Sequence, residues 1–172
     1  MYGLKTAIIT SMLFFTASCS VISSQVRKEA DPPVAFETLM KEANAYVGRT
    51  VIVGGYILET DKLADKSVVL TLQAPLGFRG EPKSRDKSQG RFIVVHKDFL
   101  DPAVYSNDRK ITVAGYVVGL TNEDDERCPN TCLKIESRQI HLWPEYYYQG
   151  IKSYHYGDPP YPSRLILHDP TW

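Results

Sequence analysis

The sequence predicts a mainly β domain wound into a small barrel, and three observations point to it. Five runs rich in Val, Ile and Tyr follow residue 48, each bounded by turn-forming residues. Eleven Tyr and eleven Pro stand in a chain with few long stretches of helical period. Two of the runs also echo each other around a glycine, as strands in similar barrel environments would. At 172 residues the chain holds one ordinary domain with extensions, enough to bury a core.

The first element is helical. Asp31-Pro32-Pro33 leads into Val34 to Tyr46, where Phe36, Leu39, Met40, Ala43 and Val47 recur at helical spacing. One amphipathic helix is expected there, ending before Gly48. Beyond it the period changes to that of strands, expected over Arg49 to Glu59, Ser67 to Gln73, Gly90 to His96, Lys110 to Leu120 and Leu133 to Trp143. Between the third and fourth, Asp101 suits a helix N-cap and Pro102 a first helical position, so a single turn or a little more is expected. The echo sets Gly48 to Leu58 beside Asp108 to Val118, with Arg, Val, Gly and Tyr coincident at four positions. One echo is too little for a solenoid and marks two strands that bend or bulge at glycine. Three strands, a short helix and two strands is the order of an OB-like antiparallel β-barrel, whose first and fourth strands are neighbours. A sandwich or an open, curled antiparallel sheet would accommodate the same strands.

The N-terminus has a different character. Lys5 and the free amine are followed by the uncharged apolar run Ala7 to Phe15, then by Thr16-Ala17-Ser18 and Cys19. Positive, apolar and small, in that order, describe a secretory signal peptide, and the run is shorter than the ~20 residues of a spanning helix. Small residues abutting a cysteine resemble a lipobox, although Thr16 stands where that pattern usually has Leu. The resemblance implies cleavage before Cys19, a diacylglycerol thioether on its sulfur and an acylated new N-terminus. Ser20, where Gram-negative lipoproteins retained in the inner membrane usually have Asp, favours the outer membrane. The expected organisation is a removed signal peptide (1–18), a lipidated tether (19–33), the OB-like barrel (34–145) and an irregular Tyr/Pro-rich tail (146–172).

The body of the chain carries a family likeness as well. Tyr46-Val47-Gly48-Arg49-Thr50-Val51, Gly54-Gly55-Tyr56-Ile57 and Ala74-Pro75-Leu76 form one half of it. Gly90-Arg91-Phe92-Ile93, Phe99-Leu100-Asp101-Pro102 and Ile111-Thr112-Val113-Ala114-Gly115 form the other. In that order, after a lipoprotein signal, these segments resemble the Slp family of outer-membrane lipoproteins, from about Cys19 to Trp143. The resemblance implies outer-membrane attachment and an association with starvation or stationary-phase growth; separately, the domain is expected to face the periplasm. The resemblance supplies no catalytic residue. The Cys128/Cys132 pair, the acidic loop and the tail depart from the pattern.

Candidate chemistry is sparse. With Cys19 assigned to lipid, Cys128 and Cys132 form a pair suited to a small disulfide loop in an oxidising compartment. A metal site would need more ligands than nearby His141, and a redox pair would have two intervening residues rather than three. His96, with Asp98 near it, and His141 belong to strands, His155 and His168 to the tail, and no nucleophile or metalloprotease motif accompanies any of them. Glu123-Asp124-Asp125-Glu126 lacks the alternating ligands and glycine of a calcium loop. Arg79, Lys83, Arg85 and Lys87 make the 77–89 loop mildly basic, a candidate for contact with lipid phosphates or another ligand. The tail's Tyr146-Tyr147-Tyr148, Tyr154, Tyr156, Tyr161 and Trp172, set among prolines, would either pack on the barrel or stack on a sugar or partner. Lys+Arg 20 against Asp+Glu 20 gives no basic excess for nucleic acid. The expectation is a non-enzymatic envelope lipoprotein with no cofactor beyond its lipid, contributing to envelope integrity or stress adaptation. The alternative is an OB-like binding module for a glycan or a periplasmic partner protein.

Overall fold

The computed structural model describes residues 21–121, 127–128 and 131–145. Cys19, the acidic loop and the aromatic tail lie outside them. Three short helices come first, α1 (Ser24–Glu29), α2 (Phe36–Lys41) and α3 (Ala43–Tyr46). Five strands follow, β1 (Thr50–Lys62), β2 (Ser67–Gln73), β3 (Arg91–His96), β4 (Lys110–Leu120) and β5 (Leu133–Leu142).

The strands close into a barrel in the order β1-β2-β3-β5-β4, with β4 returning to β1. All neighbours are antiparallel except β3 and β5, which run parallel from Phe92↔Leu133 to Val95↔Glu136. That order is OB-like, and the expected pairing of first and fourth strands is present from Thr50↔Tyr116 to Tyr56↔Lys110. Alternate residues point inward: Val51, Val53 and Ile57, Val69, Phe92 and Val94, Ile111, Val113 and Val117, Leu133 and Ile135 form one core. Phe36, Leu39 and Ala43 join it from the helices, with the Phe36 ring 6.0 Å from that of Phe92.

The echoed segments occupy equivalent backbone environments. Gly48 (φ 79°) and Asp108 (φ 68°) both adopt the left-handed conformation just before their strands. Gly55 and Gly115 both sit where a Cβ would strike a neighbouring strand's carbonyl oxygen, that of Leu72 and that of Glu136. Glycine lets the backbones approach there, and the β4–β5 register shifts between Ala114 and Gly115.

One expectation needs revision. The single helix over Val34 to Tyr46 is two, broken at Glu42 (φ −118°, ψ 30°). Phe36 and Leu39 from α2 and Ala43 from α3 still face the same barrel core on either side of the break. After β3 the chain makes the single turn expected, closed by Tyr105 N–H donating to the Asp101 carbonyl (2.8 Å), with Asp101 Oδ1 accepting from Ala103 N–H (2.9 Å). Leu100 fills the core from this turn, so no longer helix is required to cover that end. Within the expected tether, the described residues are docked from Val21 onward. Ile22 is only 2% exposed, Ala30 forms a parallel bridge to Thr50, and Asp31 N–H donates to the Thr50 carbonyl (2.8 Å).

Candidate membrane-facing site

The docked N-terminal segment defines the site. Gln139, on β5, grips it through both ends of one amide: Oε1 accepts from Ser23 N–H (3.0 Å) and Nε2 donates to the Val21 carbonyl (3.2 Å). Arg138 pairs with Glu29 (2.6 Å) and Arg49 with Asp31 (2.7 Å), so charges brace the segment further along. Exposed pairs of this kind stabilise by about 0–1 kcal/mol each, and the apolar burial of Ile22 supplies more.

Facing this segment is the β2–β3 connection. Gly77 N–H donates to the Glu81 carbonyl (2.7 Å) and Gly80 N–H to the Gly77 carbonyl (2.9 Å), folding residues 77–81 into a tight turn. Gly80 adopts φ +85°, which glycine permits without a Cβ penalty. The turn is tied to β4 twice. Thr112 Oγ1 donates to the Gly80 carbonyl (2.6 Å), and Lys110 pairs with Glu81 (2.7 Å). Trp143 Nε1–H in turn donates to Thr112 Oγ1 (2.9 Å). Between turn and N-terminal segment runs a largely apolar groove of about 500 Å³, with Val21, Ile22, Val34, Leu76 and Phe78 along it. Phe78 projects from the turn with 98% of its surface exposed.

The four basic candidates separate here. Arg79 adjoins Phe78 at the exposed tip, and the Lys83 side chain lies within 3.5 Å of where a Gly77 Cβ would stand. Arg85 is engaged, 3.0 Å from Asp108 and stacked 4.5 Å from the Tyr56 ring centroid. Lys87 borders a different groove, beside Phe36 and Gln89. Sequence reasoning missed Phe78, Ile22 and Gln139. Phe78 carried a signal, being an apolar residue between two turn glycines with no periodic partners.

Two other places bear on function. Cys128 and Cys132 are bonded, and their sulfurs cover the outer face of β2 and β3 over Val68, Leu70 and Ile93. The described residues of this second apolar cluster are all aliphatic or cystine, without an aromatic ring among them. At the Leu100 end of the barrel, His96 Nδ1 lies 2.7 Å from Ser137 Oγ, while Nε2 is 3.7 Å from Asp98, beyond hydrogen-bonding distance. Ser137 is buried and its hydroxyl is also 3.2 Å from the Val95 carbonyl, so the group joins β3 to β5 as a strut. Burial holds the His96 imidazole below the usual histidine range, against the opposing pull of Asp98; burial lowers His141 in the same direction. No group of three His, Cys, Asp or Glu side chains among the described residues could hold a metal ion.

A match to the Outer membrane lipoprotein Slp family spans residues 16–172. The chain belongs to the Slp family of outer membrane lipoproteins. Outer membrane protein Slp of Escherichia coli is 27% identical over 146 residues, covering 81% of this chain and 74% of that protein. An uncharacterized protein of Haemophilus influenzae is 28% identical over 142 residues, covering 76% and 75%. Among solved structures, the N-terminal domain of PriB protein from Thermoanaerobacter tencongensis aligns at a TM-score of 0.34 and 13% identity, over 56% of this chain and 97% of that one. A putative aspartyl-tRNA synthetase from Leishmania major Friedlin aligns at 0.42 and 9% identity, over 81% and 26%. Neither likeness is close enough to argue from, and the OB-like assignment of this Slp-family chain rests on its own strand order. None of its described helices is long and apolar enough to cross a membrane.

Proposed function

We propose that this Slp-family chain is a non-enzymatic lipoprotein held to the outer membrane by lipid on Cys19, its barrel facing the periplasm and contributing to envelope integrity or starvation and stress adaptation. The observation that carries the reading is the family match, which takes in Cys19, combined with a fold docked from Val21 onward. Two residues span at most about 7 Å, so lipid on Cys19 would hold the barrel against the bilayer rather than on a long leash. The alternative, a binding module for a glycan or partner protein, draws less support, because the disulfide covers the outer face of β2 and β3.

The test begins with mass spectrometry of the mature N-terminus from membranes, with Cys19→Ala as control. A lipid-modified peptide starting at Cys19, absent from the control, is the expected result; an unmodified peptide starting elsewhere defeats the anchor. For the role, a strain lacking the protein is challenged with detergent during starvation. Rescue by the wild type but not by Cys19→Ala supports the reading. Turnover of an envelope substrate that is abolished by Ser137→Ala or His96→Asn would overturn the non-enzymatic assignment.

A further inference from the structure

We propose that the 77–80 turn is a second, non-covalent membrane contact, with Phe78 seated in the interfacial region of the leaflet that holds the anchor and Arg79 against its anionic phosphates. The proposal rests on the Cys19 anchor and adds an orientation to it. A single exposed apolar residue is ordinary on a protein surface, so exposure alone would not carry the idea. Three further observations do.

The first is position. The site of a Gly80 Cβ is 3.4 Å from Val21 Cγ2, and Val21 and Phe78 border the same groove. Lipid on Cys19, within about 7 Å of Val21 along the chain, brings the bilayer to the side from which Phe78 projects. The second is rigidity. The turn is closed by two backbone hydrogen bonds and fixed to β4 through Thr112 and Lys110, so the ring is presented without further ordering. The ring at its tip stands with 98% of its surface exposed. The third is charge. The acids at the rim are already neutralised, Asp31 by Arg49 and Glu81 by Lys110, whereas Arg79 has no ion pair among the described residues. Exposed Arg27 borders the same groove, and exposed Pro32 and Pro33 offer it no repulsive charge. An apolar tip flanked by unneutralised cations suits an anionic bilayer surface. Phe99 gives the contrast: it is 57% exposed, lies beyond the far end of β1, and is covered by the Lys62 ammonium 4.5 Å from its ring.

The test uses the full mature lipoprotein, its acylation verified by intact mass. It is reconstituted into vesicles of phosphatidylethanolamine and phosphatidylglycerol with brominated acyl chains. Phe78→Trp and Phe99→Trp are compared with the wild type, which subtracts the native tryptophans, and a thermal melt of each checks the fold. The indole introduced at position 78 should emit at shorter wavelength on vesicles and be quenched by brominated lipid. The one at position 99 should remain accessible to aqueous iodide. Adding Arg79→Gln to Phe78→Trp should move the inserted-to-exposed ratio about fivefold toward water, the equivalent of ~1 kcal/mol for a basic residue at an anionic surface. Protein that floats with the vesicles while both indoles stay equally open to iodide overturns the contact and leaves the anchor standing. Protein that neither floats nor carries lipid removes the anchor and, with it, this proposal.

Discussion

Ile22 tests whether the segment after the anchor is part of the fold or a free leash. Its side chain is 2% exposed, although it belongs to no strand and lies on the outside of the barrel. Ile22→Ala deletes three carbons. Such truncations in rigid cores cost about 2–5 kcal/mol, and the low end, about 2 kcal/mol, applies here because a terminal segment can settle into the space. For a domain of this size that is a fall in Tm of about 6–8 °C. The loss should also be local. With the segment loosened, the Asp31 amide, bonded to the Thr50 carbonyl at 2.8 Å, and the Ser23 amide, bonded to Gln139 at 3.0 Å, should exchange hydrogen faster. Exposed Ser24, changed to Ala, is the control and should stay within about 0.5 kcal/mol. Denaturant unfolding with hydrogen exchange reads both effects. An Ile22→Ala protein as stable as the control, with unchanged exchange at Asp31, would mean that the segment is an undocked tether, and would refute the short-leash argument.

Three other outcomes are expected. Removing the disulfide by Cys128→Ser with Cys132→Ser should lower stability by about 2 kcal/mol from a closed loop of sequence separation 4, a loss that reductant should reproduce in the wild type by denaturant titration. Gly55→Ala and Gly115→Ala should each cost about 2–3 kcal/mol because the new Cβ meets backbone oxygen, whereas Gly48→Ala, strained only by φ +79° with nothing within 4 Å, should cost about 1–2 kcal/mol in the same melts. The pH dependence follows from His96 and His141, which folding holds below their ordinary value of 6.5. The unfolded chain then takes up protons more readily than the folded one. Stability is complete above that value and is lost as pH falls across the window from it down to the depressed folded values. Melting curves from neutral to mildly acidic pH should show the decline, and His96→Asn should flatten it.

Much of the barrel was legible because burial on one face imposes a period of two. The runs at Ser67 to Gln73 and Lys110 to Leu120 match β2 and β4 residue for residue. The unbroken apolar stretch Val68-Val69-Leu70 even recorded that both faces of β2 are covered, Val69 by the core and its neighbours by the cystine. The glycine echo pointed to two strands under the same steric demand, and the Leu72 and Glu136 carbonyl oxygens supply it.

By itself, then, the sequence determined the strands, the cystine pair and, as an expectation, the seat of lipid at Cys19, because each is written in local pattern or spacing. Only the tertiary structure decided what the segment from Val21 onward is attached to. Gln139 reaches back more than 110 residues to hold Ser23, and Thr112 fixes a turn 32 residues upstream. Such contacts leave no period in the chain, since one amide or one hydroxyl is sufficient to make them. They set Phe78 beside the N-terminus, where the sequence alone had only a polar linker and a basic loop.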